Sequence, residues 1–156
     1  MDAVAALYVL LLAAVPFFEA RYTIPAAIIS GYSPQEAFLL GITGNMLPVV
    51  PLLLLLDPVS TWLSGRMTLF RRFFEWLFAR TRKQNDRIER WGAIALFSFV
   101  AVPLPMTGAW SGCAAAFVFG IRFRYAFPAI ALGTIVAALI TTLAALGVLG
   151  YLGYRT

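Results

Sequence analysis

Residues 91–121 read WGAIALFSFVAVPLPMTGAWSGCAAAFVFGI, thirty-one positions without a charge. A helix crossing about 30 Å of hydrocarbon at about 1.5 Å per residue needs roughly 20 apolar residues. The run is therefore long for one crossing and short for two. Its middle is Pro103-Leu104-Pro105-Met106-Thr107-Gly108. Each proline removes an amide donor and clashes with the preceding turn, so a helix stops there. The stretch reads as a half-helix, a break near 103–112 and a returning half-helix; the simpler alternative is one tilted, proline-kinked crossing.

The same pattern stands near the start. The apolar run Ala3 to Phe18 leads into Glu19-Ala20-Arg21-Tyr22-Thr23-Ile24-Pro25, then a short apolar run to Gly31. This predicts a second helical hairpin with its break near 19–25. With Asp2 as the sole early charge there is no basic n-region, so the run reads as retained rather than cleaved. Between and after the two breaks, Ala37 to Leu56 and Tyr125 to Tyr154 each suit one crossing, the first kinked by Gly41, Gly44, Pro48 and Pro51. Irregular backbone at membrane depth must be buried in protein or line a wet cavity, so the two breaks are expected to face each other or a shared cavity.

Composition agrees. Of 156 residues, 62% are hydrophobic and 12% charged, with a mean hydropathy of +0.86, against about a quarter charged in soluble domains. The expected class is an all-α integral membrane protein forming one membrane domain over residues 1–156. Residues 1–56 make a first repeat, 57–90 a linker and 91–156 a second repeat. Asp57-Pro58 resembles a helix start. Met67, Phe70, Phe73, Phe74, Leu77 and Phe78 recur at helical spacing opposite Arg71, Arg72, Glu75, Arg82 and Lys83, the pattern of an amphipathic helix lying in the interface. Residues 66–90 carry the whole +5 excess of the chain, which makes the linker cytoplasmic by the positive-inside rule. It reads as a solvated surface or an anionic-lipid contact; nothing points to nucleic acid.

An internal repeat appears at an offset of 89, pairing Ala26-Ala27 with Ala115-Ala116, Gly31 with Gly120, Ala37-Phe38 with Ala126-Phe127 and Gly44 with Gly133. A hairpin plus one crossing per unit would start the second unit on the opposite side from the first, an inverted repeat of the kind that builds many secondary transporters around a midplane site.

Charge within an apolar segment is costly and usually faces a cavity or a partner. Glu19 and Arg21 are thus the leading candidates, for a proton or cation and for an anionic group respectively; snorkelling to the interface is the alternative. On a regular helix, residues two apart point nearly oppositely, so a pair between them requires unwound backbone before Pro25. In the second break Pro103, Pro105, Thr107, Gly108, Trp110, Ser111 and Gly112 offer amides, hydroxyls and a ring to an anion, or else form a packed turn. Asn45, after Gly41-Ile42-Thr43-Gly44, satisfies a neighbour or touches substrate. Glu36 caps a helix behind Ser33-Pro34, Arg122 and Arg124 anchor the interface, and Cys113 packs. Without histidine, a second cysteine or a carboxylate cluster, no catalytic or metal-binding motif emerges, and neither enzyme activity nor a cofactor is expected.

Glu19-Ala-Arg21-x-x-Ile24-Pro25, Gly41-x-x-Gly44-Asn45 and Pro103-Leu-Pro105-x-Thr107-Gly108-Ala-Trp110-Ser111-Gly112 together resemble the small multidrug export family, itself similar to the DedA (VTT, SNARE-associated) superfamily. The resemblance extends from about residue 10 to 150. It implies two opposed re-entrant hairpins in an inverted repeat within the cell's inner (cytoplasmic) membrane, and an ion-coupled flippase of an anionic lipid such as a polyprenyl (undecaprenyl) phosphate. A proton or sodium gradient would drive it. Proton-coupled export of small drugs is the alternative, and a non-transporting scaffold a third. This chain is shorter than DedA proteins, and their second acid has no clear counterpart, since Asp57 sits at an expected helix end. Small-residue faces at Gly41/Gly44 and along Gly133 to Gly153 favour a homodimer.

Overall fold

The computed structural model describes residues 3–66, 68, 71, 72, 75, 76, 79, 86–104 and 107–152. Pro105 and, in the linker, Met67, Phe70, Phe73, Phe74, Leu77, Phe78, Arg80, Arg82 and Lys83 lie outside the described residues, as do Gly153 and Tyr154. Among the described residues, the helices with defined bounds are, in order, α1 Ala3–Ala14, α2 Glu19–Ile29, α3 Pro34–Met46, α4 Val49–Arg66, α5 Asp86–Ala101, α6 Ala109–Phe119 and α7 Phe123–Tyr151. Among the described residues there is no strand. Linker positions Arg71, Arg72, Glu75 and Trp76 are helical and exposed, with Arg71 and Glu75 3.8 Å apart on consecutive turns; so exposed a pair contributes little.

Local chemistry sets the boundaries. Ser33 caps α3: its Oγ accepts from the Glu36 N–H at 3.3 Å, while Glu36 Oε2 accepts from the Ser33 N–H at 3.0 Å. Glu36 is the capping acid that its spacing predicts. A two-residue turn at Leu47-Pro48 separates α3 from α4, since Pro48 brings no amide to the helical ladder. Asp57 and Pro58 fall inside α4. The expected helix start there is absent because the helix is already running from Val49, and a proline in mid-helix costs one bond rather than the element.

The offset of 89 recurs in the backbone. Gly31 and Gly120 both adopt positive φ, 97° and 65°. Behind them the same two bonds close the helix end: Tyr32 N to Ala27 O (3.1 Å) and Gly31 N to Ile28 O (3.0 Å), then Ile121 N to Ala116 O (2.8 Å) and Gly120 N to Phe117 O (3.1 Å). This is a Schellman ending, which glycine adopts without a Cβ penalty. The residues opening α3 and α7, Ser33 and Arg122, have φ/ψ of −63/150° and −61/148°. Close approaches recur too. A Cβ on Gly44 would collide with the Leu10 carbonyl of α1, and one on Gly133 would sit 3.0 Å from the Phe97 carbonyl of α5.

α5 and α6 run antiparallel as a helical hairpin. At one end a Cβ on Gly92 would lie 3.3 Å from Ile121 Cδ1, and at the other a Cβ on Gly112 would lie 2.8 Å from Val100 Cγ2. Each of the two core clusters draws mostly on one half and is joined by residues of the other. Val9, Ala20, Ile24, Ala27 and Ala37 gather with Ala138 and Leu149, whereas Val49, Leu96, Val100, Cys113, Ala126 and Ile130 form the other.

Side-chain size is sorted opposite to a water-soluble helix. On α7 the buried face is mostly small, with Ala126, Ala129, Gly133, Thr134, Ala137, Ala138 and Thr142 beside Ile130 and Leu149, while Leu132, Leu139, Leu143 and Val148 are half or more exposed. Small residues let backbones approach, and the large apolar ones face outward, which is stable only against lipid. Pro34–Trp62 and Phe123–Tyr151 are each long and apolar enough to cross a membrane.

Candidate functional site

The first break is the segment Val15–Phe18. Pro16 removes an amide donor and restricts Val15, so α1 ends at Ala14. The chain then turns through Phe17 at φ 82° and Glu19 at φ 42°, a left-handed region that costs a non-glycine residue of order 1 kcal/mol or more. The interruption thus precedes the expected 19–25 segment, and Pro25 sits within α2, where the lost bond would have gone to the Arg21 carbonyl. Positive φ at Glu19 also takes it out of the regular helical register. Glu19 Oε2 and Arg21 Nη2 can therefore lie 3.8 Å apart despite being two residues apart, with side chains only 12% and 10% exposed.

The second break, Val102 to Gly108, meets the first. Arg21 Nη2 donates to the Thr107 carbonyl oxygen, and Nη1 lies 3.5 Å from Thr107 Oγ1. Thr107 holds its own loop: Oγ1 donates to the Val102 carbonyl at 2.7 Å and accepts from the Leu104 N–H at 3.1 Å. In the other direction Trp110 Nε1 donates to the Ala14 carbonyl at 3.1 Å, satisfying an acceptor that the end of α1 leaves open. Each half thus sends one donor into the other half's break, as expected for irregular backbone that lipid cannot satisfy.

Glu19 fills the junction. Its carboxylate lies against Gly108, the residue before α6, so closely that a Cβ there would fall on it, at a helix end whose first backbone N–H groups have no partner within the helix. The carboxylate occupies the positive end of α6 beside a guanidinium, two features that attract an anion. Ser111 steadies that end: its Oγ accepts from the Gly108 N–H at 2.8 Å. A cavity of about 350 Å³ opens beside the pair, lined by Pro16, Phe17, Glu19, Arg21, Tyr22, Trp110 and Ser111. Chemically it is an anion site occupied by the protein's own carboxylate, with an aromatic wall.

The structure gathers Glu19, Arg21, Thr107, Gly108, Trp110 and Ser111. Thr107 and Ser111 turn their hydroxyls to their own loop and helix end rather than offering them freely. Pro103 lies in the second break, half-buried, without lining the cavity, and Pro25 is one turn along α2 from Arg21. Gly112 faces Val100 and Ile130, a packing contact. Asn45 is buried on α3, away from the cavity lining. Pro16, Phe17 and Tyr22 are additional; Pro16 itself was the available signal, overlooked in favour of Pro25. Cys113 packs in the core with Sγ 3.9 Å from the Val49 carbonyl. Among the described residues no cluster of His, Cys, Asp and Glu could hold a metal.

Residues 19–140 match the family described as "Putative small multi-drug export protein". No curated protein and no solved structure matches the chain. The match spans well over half of the sequence, beginning at Glu19 just after the first break and including the second; the chain belongs to that family, and it is a helical membrane protein.

Proposed function

We propose that this protein is an ion-coupled transporter of the inner membrane, and that its translocation site is the cavity where the two breaks meet. The substrate class that best fits the site is an amphiphile with an anionic head group, a polyprenyl phosphate being the type. The observation carrying this reading is that Arg21 and the start of α6 converge on one carboxylate, Glu19, which is built into the chain. While Glu19 is ionised it blocks the site against a second anion. Protonation removes that charge, and Arg21 with the α6 amides then receives the head group. Loss of the proton on the other side returns the carboxylate and expels the anion.

The architecture supports this cycle. α1, α2 and α6 have 12, 11 and 11 residues, about 16–18 Å each, near half of the hydrocarbon thickness. Each helix–break–helix unit therefore reads as re-entrant, and the recurrence at 89 reads as an inverted repeat with its site at the interface. Arg66 stacks on Trp62 at 4.5 Å and Arg124 on Tyr125 at 4.8 Å, pairs suited to the interface next to the basic, cytoplasmic linker. Gly41, Gly44 and Gly133 pack within the chain, whereas Gly147 and Gly150 meet nothing within 4 Å and are left for a second copy in a homodimer. The likeness to DedA proteins favours lipid as cargo.

Small multidrug export is the second reading, favoured by the family description and by Phe17, Tyr22 and Trp110 on the cavity wall. The deciding experiment is translocation of a fluorescent polyprenyl phosphate, and separately of a lipophilic cationic dye, in proteoliposomes with and without a pH gradient. Gradient-dependent lipid flipping lost in both Glu19→Gln and Arg21→Ala supports the first reading. Dye transport that needs Glu19 but survives Arg21→Ala supports the second.

A further inference from the structure

Among the described residues, three buried side-chain oxygens have no hydrogen-bond partner: Thr23 Oγ1, Asn45 Oδ1 and Thr134 Oγ1. Asn45 and Thr134 are related by the same offset of 89 that links the two halves, and are 3% and 2% exposed. α3 and α4 pack on α7, and their register is antiparallel. Phe38 and Leu39 line one groove with Leu139 and Thr142, and further along Val49 shares a core cluster with Ala126 and Ile130. Asn45 lies four residues before Val49 and Thr134 four after Ile130, which puts them level at the centre of the crossing. Equivalent residues of two inverted halves meet only where the symmetry axis passes, so this is the pivot of the molecule.

We infer that Asn45 and Thr134 are donors of a buried site for a desolvated monovalent cation of sodium size at this crossing. Both oxygens are buried without a partner at matching levels on packed helices, which is costly unless another group satisfies them. The unpartnered atoms are all oxygens, the donors that hard cations take. They are neutral, with no carboxylate cluster among the described residues, which suits a single charge as in pores lined by carbonyls. Asn45 is in the last turn of α3, beside the Leu47-Pro48 interruption, where the negative helix end adds attraction for a cation. The site is separate from Glu19 and Arg21. It lies where two rocking halves would move least, so it can serve both outward- and inward-facing states.

The test is thermal unfolding of the purified full-length protein in detergent, in sodium, lithium, potassium and choline chloride at equal ionic strength. Sodium at about a hundredfold excess over its dissociation constant is expected to raise Tm by roughly 5–10 °C over choline. Thr134→Val, close to isosteric, and Asn45→Leu are each expected to abolish that shift, while Thr134→Ser keeps it. Glu19→Gln keeps it too, which separates this site from the proposed transport site. Equal Tm in all four salts for the native protein means that water fills the gap and overturns the inference. A sodium shift that survives Thr134→Val overturns it as well.

Discussion

The break between α1 and α2 and the break between α5 and α6 hold corresponding places in the two halves, yet they are built from different material. The first, with the opening turn of α2, carries both charges and both positive-φ non-glycine residues, Phe17 and Glu19. Among its described residues the second carries no charge and offers main chain instead: the Thr107 carbonyl to Arg21 and the bare Cα of Gly108 to Glu19. A side-chain half meets a backbone half. The difference teaches that two halves need not share chemistry to build one junction: one half can supply the ion pair while the other supplies the room and dipole that hold it.

The sharpest way to break this division is to remove one partner of the ion pair. Arg21→Ala leaves the Glu19 carboxylate in a confined site without its cation, and is expected to destabilise the protein by about 3–5 kcal/mol at neutral pH. Adding Glu19→Gln should recover most of that loss. If thermal unfolding shows the single variant to be as stable as the native chain, the pair does not hold the junction. A smaller effect tests the matching glycines. Gly44→Ala forces a methyl onto the Leu10 main chain, which cannot rotate away, whereas Gly133→Ala meets the Val100 side chain at 2.8 Å as well as the Phe97 carbonyl. Both should cost about 1–3 kcal/mol, with Gly44→Ala the costlier; the reverse order in denaturation would mean that α1 yields more easily than α5.

Trp110→Phe keeps the ring and deletes the donor to Ala14, for an expected loss of about 1–2 kcal/mol and a faster amide exchange at the end of α1 than at the end of α5. The least effect belongs to the helix starts. Ser33 caps α3 through its side chain, while Arg122 has the same dihedrals and no cap bond. Ser33→Ala should therefore cost about 1 kcal/mol, and Arg122→Ala should cost nothing through capping; helix-start exchange rates distinguish the two.

Several of these features were legible in the chain alone. The capping box at Ser33-Glu36, the pairing of Gly31 with Gly120 and the stop before Pro103 depend on residues within a few positions of each other or on a plain recurrence, and local chemistry fixes them. The first break was misplaced because two prolines compete for it. Pro16 and Pro25 each forbid one hydrogen bond, and nothing local says which loss will open the helix and which will be absorbed. Thr134 passed unnoticed, since a threonine in an apolar helix ordinarily bonds its own backbone, as Thr142 does to Ala138 at 2.8 Å. Linker positions from Met67 to Lys83 that set its expected apolar face lie outside the described residues.

By itself the sequence determined the solvent, the helical class, the recurrence at an offset of 89 and the identity of the two costly charges, because composition, proline chemistry and spacing act over one or two helical turns. Only the tertiary structure decided that Glu19 and Arg21 pair, that they meet the start of α6, and that Gly112 packs against Val100 and Ile130. The pair depends on backbone turned out of helical register at Phe17 and Glu19, and its meeting with α6 on residues about 90 positions apart being brought together. Neither can be read from a periodicity that assumes regular helix.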